Sequence, residues 1–372
     1  MNAEVRPFRR RRLTPEDGRE AAWKVLATPI QERREKAREL FLDDPETLLP
    51  LLELLRAKWE SDPAYVYQES VFLYTYLESL SPKYPVDAFL LDEREYFLGE
   101  TARIIGTVCR DLTRRDEARQ WLDLSEGWFL LTENAAGNIS KVTYQRLALR
   151  IEERDFEPVS RQLPQLVASF RRLEMWEDAL KARFLEANIL RETDRLAAAL
   201  QVFNEIALEA RDLHNDALLS HAYVNLVQIN ALLGNQEEAV SSATRATPIL
   251  RRLGNRIGLA KLQWGVGYLL RSQGNGSGAI DAYRTSQREF TELEMRADVA
   301  AVHLVIADLL LDNGQDKQAE WEVRQALPLI DEYKLVPEGF AALTLLRESV
   351  RRQKIDRQAL RNLHGYFEEL SS

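Results

Sequence analysis

Residues 214–254 read HNDALLSHAYVNLVQINALLGNQEEAVSSATRATPILRRLG. Apolar residues recur at spacings of three and four on both sides of Gly234–Asn235. That is the period of a helix with one buried face. The stretch therefore predicts two helices, ALLSHAYVNLVQINALL and EEAVSSATRATPILRRL, joined by a turn. Gly234 can take the left-handed conformation that ends a helix at little cost. Ala239, just inside the second helix, is small where two helix backbones must approach closely. Pro248 removes a backbone hydrogen bond late in that helix and predicts a bend or an early end there.

Forty-residue steps from Ala239 reach Val159, Ala199, Ala279, Ala319 and Ala359. Five residues before each lies a turn position: Arg154, Asp194, Gly234, Gly274, Gly314 and Lys354. Four residues after come Leu163, Phe203, Ala243, Tyr283, Val323 and Leu363; eleven after come Phe170, Ala210, Leu250, Phe290, Ile330 and Leu370. A register held over so many steps is the signature of stacked repeats, in which each unit buries its apolar face on its neighbours.

The segments LLGNQEEAV (232–240), RSQGNGSGAI (271–280) and LDNGQDKQAE (311–320) each close a first helix with Gly and place Ala five residues later. This pattern resembles the tetratricopeptide repeat family. The family's small residue in the middle of the first helix has counterparts in Ala187, Val227, Gly267 and Ala307. The family's common period is about 34 residues; the longer beat here predicts helices longer by a turn or so, as in regulatory members. The resemblance implies an all-α fold, a right-handed superhelix of helix pairs, here with an N-terminal helical cap.

Three divisions are expected: a disordered basic tail (1–13), an N-terminal helical region of degenerate repeats or cap (14–85), and the solenoid (86–372). The tail carries Arg6, Arg9, Arg10, Arg11 and Arg12. Cap-plus-proline pairs at Thr14–Pro15, Thr28–Pro29, Asp44–Pro45 and Asp62–Pro63 predict helix starts, and Thr28 with Gln31 matches a capping box. A helical hairpin is expected over 45–60 and 63–80, with Val66 in the alanine slot. Two prolines in SPKYPV (81–86) predict a break, followed by a long helix over 87–112. Ala118 takes the alanine slot one residue out of register. A final helix pair is expected from Val336 onward.

The formal charge of −9 argues against a general nucleic-acid binder. The single cysteine, Cys109, allows no intramolecular disulfide and is read as a small buried hydrophobe. With no signal peptide evident, a cytoplasmic location is expected. The apolar run AVHLVIADLLL (301–311) is too short to span a bilayer.

Motifs for chemistry are sparse. Gly274-Asn-Gly276-Ser-Gly-Ala279 matches a dinucleotide fingerprint, but that fingerprint needs a preceding strand, and WGVGYLLRSQ is helical in pattern. His214, His221, His303 and His364 sit in no metal-ligand spacing; only His214 and His221 are two turns apart on an expected helix. Paired carboxylates occur among 59 acidic residues and carry no information. No catalytic site, metal or cofactor is expected.

In tetratricopeptide arrays the first helix of each unit lines a concave groove. The resemblance places Lys181, Phe184, Asn188 and Arg191 there, then His221, Val224, Asn225 and Gln228, then Lys261, Trp264, Tyr268 and Arg271, then Leu304 and Asp308. Amides, cations and aromatics on one face suit an extended peptide. Members that bind heat-shock chaperones clamp a peptide's terminal carboxylate with two Asn and three basic residues. Asn188, Asn225 and Lys261 fall on matching positions. Phe184 and Gly265 replace the other two basic residues, and Lys181 lies one turn from the first. The alternative is that Trp264 and Phe184 pack long helices together. The expected function is a non-catalytic adaptor or regulatory sensor binding an acidic or C-terminal peptide. The alternative is a transcriptional regulator using the arginine-rich arm.

Overall fold

The computed structural model describes residues 13–29, 31–40, 45–80, 89–133 and 135–333, with 335, 342, 344 and 345. The arginine-rich arm, the SPKYPV break, the Asp44 cap and the helix pair after Val336 lie outside the described residues. So do Lys354 and His364.

Sixteen helices and no strand occur among the described residues. The first four are α1 (Pro15–Ala27), α2 (Arg33–Glu39), α3 (Pro45–Trp59) and α4 (Pro63–Ser79). Next come α5 (Phe89–Asp111), α6 (Arg115–Phe129), α7 (Ala135–Glu152) and α8 (Phe156–Arg172). Then follow α9 (Trp176–Glu192), α10 (Leu196–Asp212), α11 (Asp216–Leu233) and α12 (Gln236–Leu253). The last are α13 (Arg256–Ser272), α14 (Gly276–Glu292), α15 (Arg296–Asp312) and α16 (Asp316–Glu332). Consecutive helices from α3 onward pack on one another, α1 packs on α3, and odd-numbered helices also touch the next odd helix, as α11 does α13. The pairs stack into a right-handed superhelix.

The beat is finer than forty. Left-handed residues fall at Arg154, Glu174, Asp194, His214, Gly234, Gly254, Gly274, Glu294 and Gly314, one every twenty positions. At each, the next amide reaches back to the carbonyl five residues earlier, as Met175 N–H does to Phe170 and Asn275 N–H to Leu270, both at 2.9 Å. This double-bonded stop satisfies carbonyls that a helix end leaves orphaned. Five of these nine positions are not glycine, so the stop is set by backbone bonding and packing. His214 thus belongs to a turn, and it does not share a helix with His221.

The register positions are core. Val159, Ala199, Ala239, Ala279 and Ala319 are at most 1% exposed, as are Phe170, Ala210, Leu250, Phe290 and Ile330. At the crossing of α13 and α14, Gly267 lies against the wholly buried ring of Tyr283. Pro248 does not end its helix: α12 runs on to Leu253, at the cost of one internal bond.

At the N-terminal end the Thr14 side chain caps α1 by accepting from Asp17 N–H at 3.1 Å, and Asp62 caps α4 by accepting from Tyr65 N–H at 3.1 Å. Thr28 differs from expectation. It follows the last turn of α1, where its hydroxyl donates to the Lys24 carbonyl at 2.7 Å, and α2 begins only at Arg33. A helix end just behind it takes up the hydroxyl that a capping box would need. Buried Arg33 pairs with buried Glu69, tying α2 to α4. Val66, Cys109 and Ala118 are all fully buried, and burial pushes the Cys109 thiol up to about 12. No helix is long and apolar enough to cross a membrane among the described residues.

Candidate functional site

The odd helices α9, α11 and α13 carry the ten candidate groove residues, and the structure joins three of them, Arg191, Asn225 and Gln228, in one network. Arg191 on α9 donates to Asn225 Oδ1 at 2.9 Å and to Gln228 Oε1 at 3.4 Å, both on α11. Asn225 in turn donates to the His221 carbonyl at 2.9 Å. Arg271 on α13 holds Asp308 at 2.7 Å and Asp312 at 2.5 Å on α15. Lys181 lies 3.2 Å from Asp178. Asn188 and Lys261 have no hydrogen-bond or ion-pair partner among the described residues.

The three groove aromatics are each drawn into a ring contact. Trp264 meets Phe290 edge-on at 6.1 Å between ring centroids, and Tyr268 meets Tyr283 at 5.9 Å. Phe184 is 9% exposed and packs on Phe203 at 5.8 Å. Packing therefore accounts for Phe184 and for much of Trp264. Burial raises the Tyr268 hydroxyl above its ordinary value, which keeps it neutral and able to donate.

One group at this site comes from far away in the sequence. Glu60, in the turn between α3 and α4, places Oε1 at 3.0 Å from His221 Nε2. Its Oε2 accepts from Asn255 Nδ2 at 2.5 Å, a contact across 195 residues of chain. Its backbone carbonyl accepts from Ile257 N–H at 3.0 Å, in the first turn of α13. Asn255 is 1% exposed; it caps α13 by accepting from Gly258 N–H at 2.6 Å and uses its amide hydrogens on Glu60. Asn255 Nδ2 also lies 3.1 Å from His221 Nε2, so the imidazole nitrogen faces both members of this contact. Burial works against the Glu60 charge, but His221, then Lys261 and Lys181, outweigh it and hold the carboxyl below its ordinary range. Nothing in the sequence pointed to Glu60 or Asn255 as members of this site.

The neighbouring residue, the last of α3, anchors the contact: Trp59 Nε1 donates to Asp111 on α5 at 2.8 Å. On the inner side of α5 and α7, Glu100, Arg103, Arg110, Gln145 and Glu152 continue the polar lining. Arg110 reaches Gln145 at 2.6 Å and Glu152 at 3.2 Å. Glu100, 1% exposed, pairs with Arg56 and Arg103 and has its carboxyl pulled down to about 2: burial opposes the charge, and the two guanidiniums overcome it.

The supposed nucleotide loop is an ordinary turn. Gly274 is left-handed, Asn275 caps α14, and a helix precedes them. No group of three His, Cys, Asp or Glu side chains is placed to hold a metal among the described residues.

No protein-family model matches the sequence, and no curated protein matches it. Solved structures do match in fold. A Rap conjugation gene regulator of the plasmid pLS20, in complex with the Phr* peptide, superposes with a TM-score of 0.60 at 15% identity, covering 97% of each chain. A Rap protein complexed with Competence and Sporulation Factor gives 0.56 at 12% identity, over 87% of this chain and 99% of that one. Aspartyl phosphate phosphatase F from Bacillus subtilis gives 0.51 at 12% identity, over 100% and 95%. The chain has the helical-repeat, tetratricopeptide-like fold that these structures share.

Proposed function

We propose that this protein is a non-catalytic adaptor or regulatory sensor that binds a peptide segment in the groove of its solenoid. The carrying observation is the polar wall of α9, α11 and α13. There Asn188 and Lys261 lack partners while Arg191, Asn225 and Gln228 hold one another in place. Partnered side chains lose little freedom on binding, so the groove is preorganised. Free amide and ammonium groups can then meet a peptide's carbonyls and carboxylates. Two proteins of this fold are complexed with partners, one with the Phr* peptide and one with Competence and Sporulation Factor. They support a peptide or protein ligand for a chain of this fold. The acidic or C-terminal character of the ligand rests on Lys261 and the Asn188–Asn225 pair. The three-part division of the chain and a cytoplasmic setting belong to the same reading.

The test is affinity capture from lysate of the source cell, with and without nuclease. The full chain is compared with a variant carrying Asn188→Ala, Asn225→Ala and Lys261→Ala. The expected result is a discrete protein that the variant loses and nuclease leaves alone; its tail peptide should bind more weakly once C-terminally amidated. Capture that survives the variant but disappears with nuclease would overturn the groove reading in favour of the arginine-rich arm. Turnover in a cofactor screen, abolished by the same variant, would overturn the non-catalytic reading.

A further inference from the structure

One of the protein's own carboxylates, that of Glu60, sits against the groove residue His221. Glu60 accepts a hydrogen bond from Asn255 on one carboxylate oxygen, its other oxygen lies 3.0 Å from His221 Nε2, and its main-chain carbonyl accepts from Ile257. Lys261 and Lys181 lie within electrostatic range without pairing to it. A buried amide, an imidazole, the positive end of a helix and two ammonium groups around one carboxylate form a built anion seat. Three of these side chains, Lys181, His221 and Lys261, were read from the sequence as groove residues. The seat and the proposed peptide groove are therefore one surface.

The contact is also local in its supports. The α3–α4 turn is joined to α13 through Glu60, while its neighbour Trp59 is held by Asp111 on α5. Removing the Glu60 carboxylate leaves the helices on both sides packed within their own units. Such a tie competes with an incoming carboxylate at an effective concentration set by the chain, in the millimolar range or above for a tethered group.

We infer that Asn255, His221 and Lys261 form a carboxylate subsite of the groove, occupied in cis by Glu60, and that an acidic side chain of a peptide partner takes this place. This rests on the peptide-binding reading above and adds where its acidic residue sits and what it displaces.

The experiment uses the full chain and reads hydrogen exchange at the Ile257 amide. The probe is acetyl-AKWESDPA-amide, the protein's own residues 57–64, beside the same peptide with Gln in place of Glu. In Glu60→Gln, exchange at Ile257 is expected to rise by about fivefold or more while distant helices keep their protection. The Glu peptide at several millimolar should restore protection in this variant, and the Gln peptide should not. In the wild type neither peptide should change it. The inference is overturned if Glu60→Gln exchanges like the wild type, or if the two peptides act alike. Should Glu60→Gln fail to fold, Glu60→Asp keeps the charge one methylene short and is read in the same way. Lysate capture lost in the groove variant, with no discrimination between the peptides, would leave the adaptor and remove the seat. Discrimination without groove-dependent capture would leave the seat and remove the adaptor.

Discussion

Gly267→Ala should destabilise this protein although alanine is the better helix former. Replacing Gly inside a helix ordinarily gains about 1 kcal/mol. Here the new Cβ would lie 2.2 Å from Tyr283 Cε1, 2.5 Å from Cδ1 and 2.7 Å from Cζ. The ring cannot swing aside into solvent, because Tyr283 is wholly buried and edge-on to Tyr268. Overpacking of a filled core costs about 1–3 kcal/mol, and a contact this short belongs at the upper end. The net expectation is a loss of about 2 kcal/mol. Gly265, two residues earlier, is the internal control. Its Cβ would meet Val227 Cγ1 at 3.2 Å, so Gly265→Ala should be neutral or gain up to about 1 kcal/mol. Urea unfolding followed by circular dichroism measures both. Adding Tyr283→Leu to Gly267→Ala vacates the space and should give a favourable coupling above about 1 kcal/mol in a double-mutant cycle. Equal stability of the two alanine variants, or simple additivity in the cycle, would refute the close-approach argument.

Two further outcomes are expected. Glu100 titrates at about 2 when folded, below its ordinary value of 4.5, so the stability it contributes is present above pH 4.5 and is lost as pH falls towards 2. Thermal melts should show the wild type weakening across that window, while Glu100→Gln is weaker at neutral pH, by about 3–5 kcal/mol for an orphaned buried pair, and flatter below it. At the left-handed stops, Glu294→Gly should stabilise by about 1 kcal/mol; Gly274→Ala, with no atom within 4 Å of its added Cβ, should lose about the same from backbone strain alone.

The forty-residue register was legible because Gly234, Gly274 and Gly314 mark alternate turns and small or apolar residues mark the slots behind them. The twenty-residue beat was not. Its other turns fall at Glu174, His214, Gly254 and Glu294, and three of these four carry no turn signature. What stops those helices is a pair of backbone bonds, and these leave no compositional trace. Thr28 followed by Pro29 mimicked a helix start because the same hydroxyl can close a helix as well as open one. At the site, the sequence grouped Arg191, Asn225 and Gln228 on facing helices, and the structure joins them. It could not separate Trp264 and Phe184 from groove residues, because a first helix is packed on two sides and one apolar period serves both. Glu60 was beyond reach for a different reason. A single carboxylate among 59 acquires meaning only when the superhelix curls round to meet it.

That meeting changes how the array holds together. A stack of repeats is a ladder in which each rung feels only the next, so its ends can fray without alerting the middle. The bond from Glu60 to α13 turns the rungs between them into a closed ring. Inside a ring, loosening any one joint strains the clasp, and opening the clasp returns the array to a ladder whose units still pack on their neighbours. Units five repeats apart thereby feel one another through a single contact, and a small partner able to displace one carboxylate would sever that shortcut while leaving the units folded.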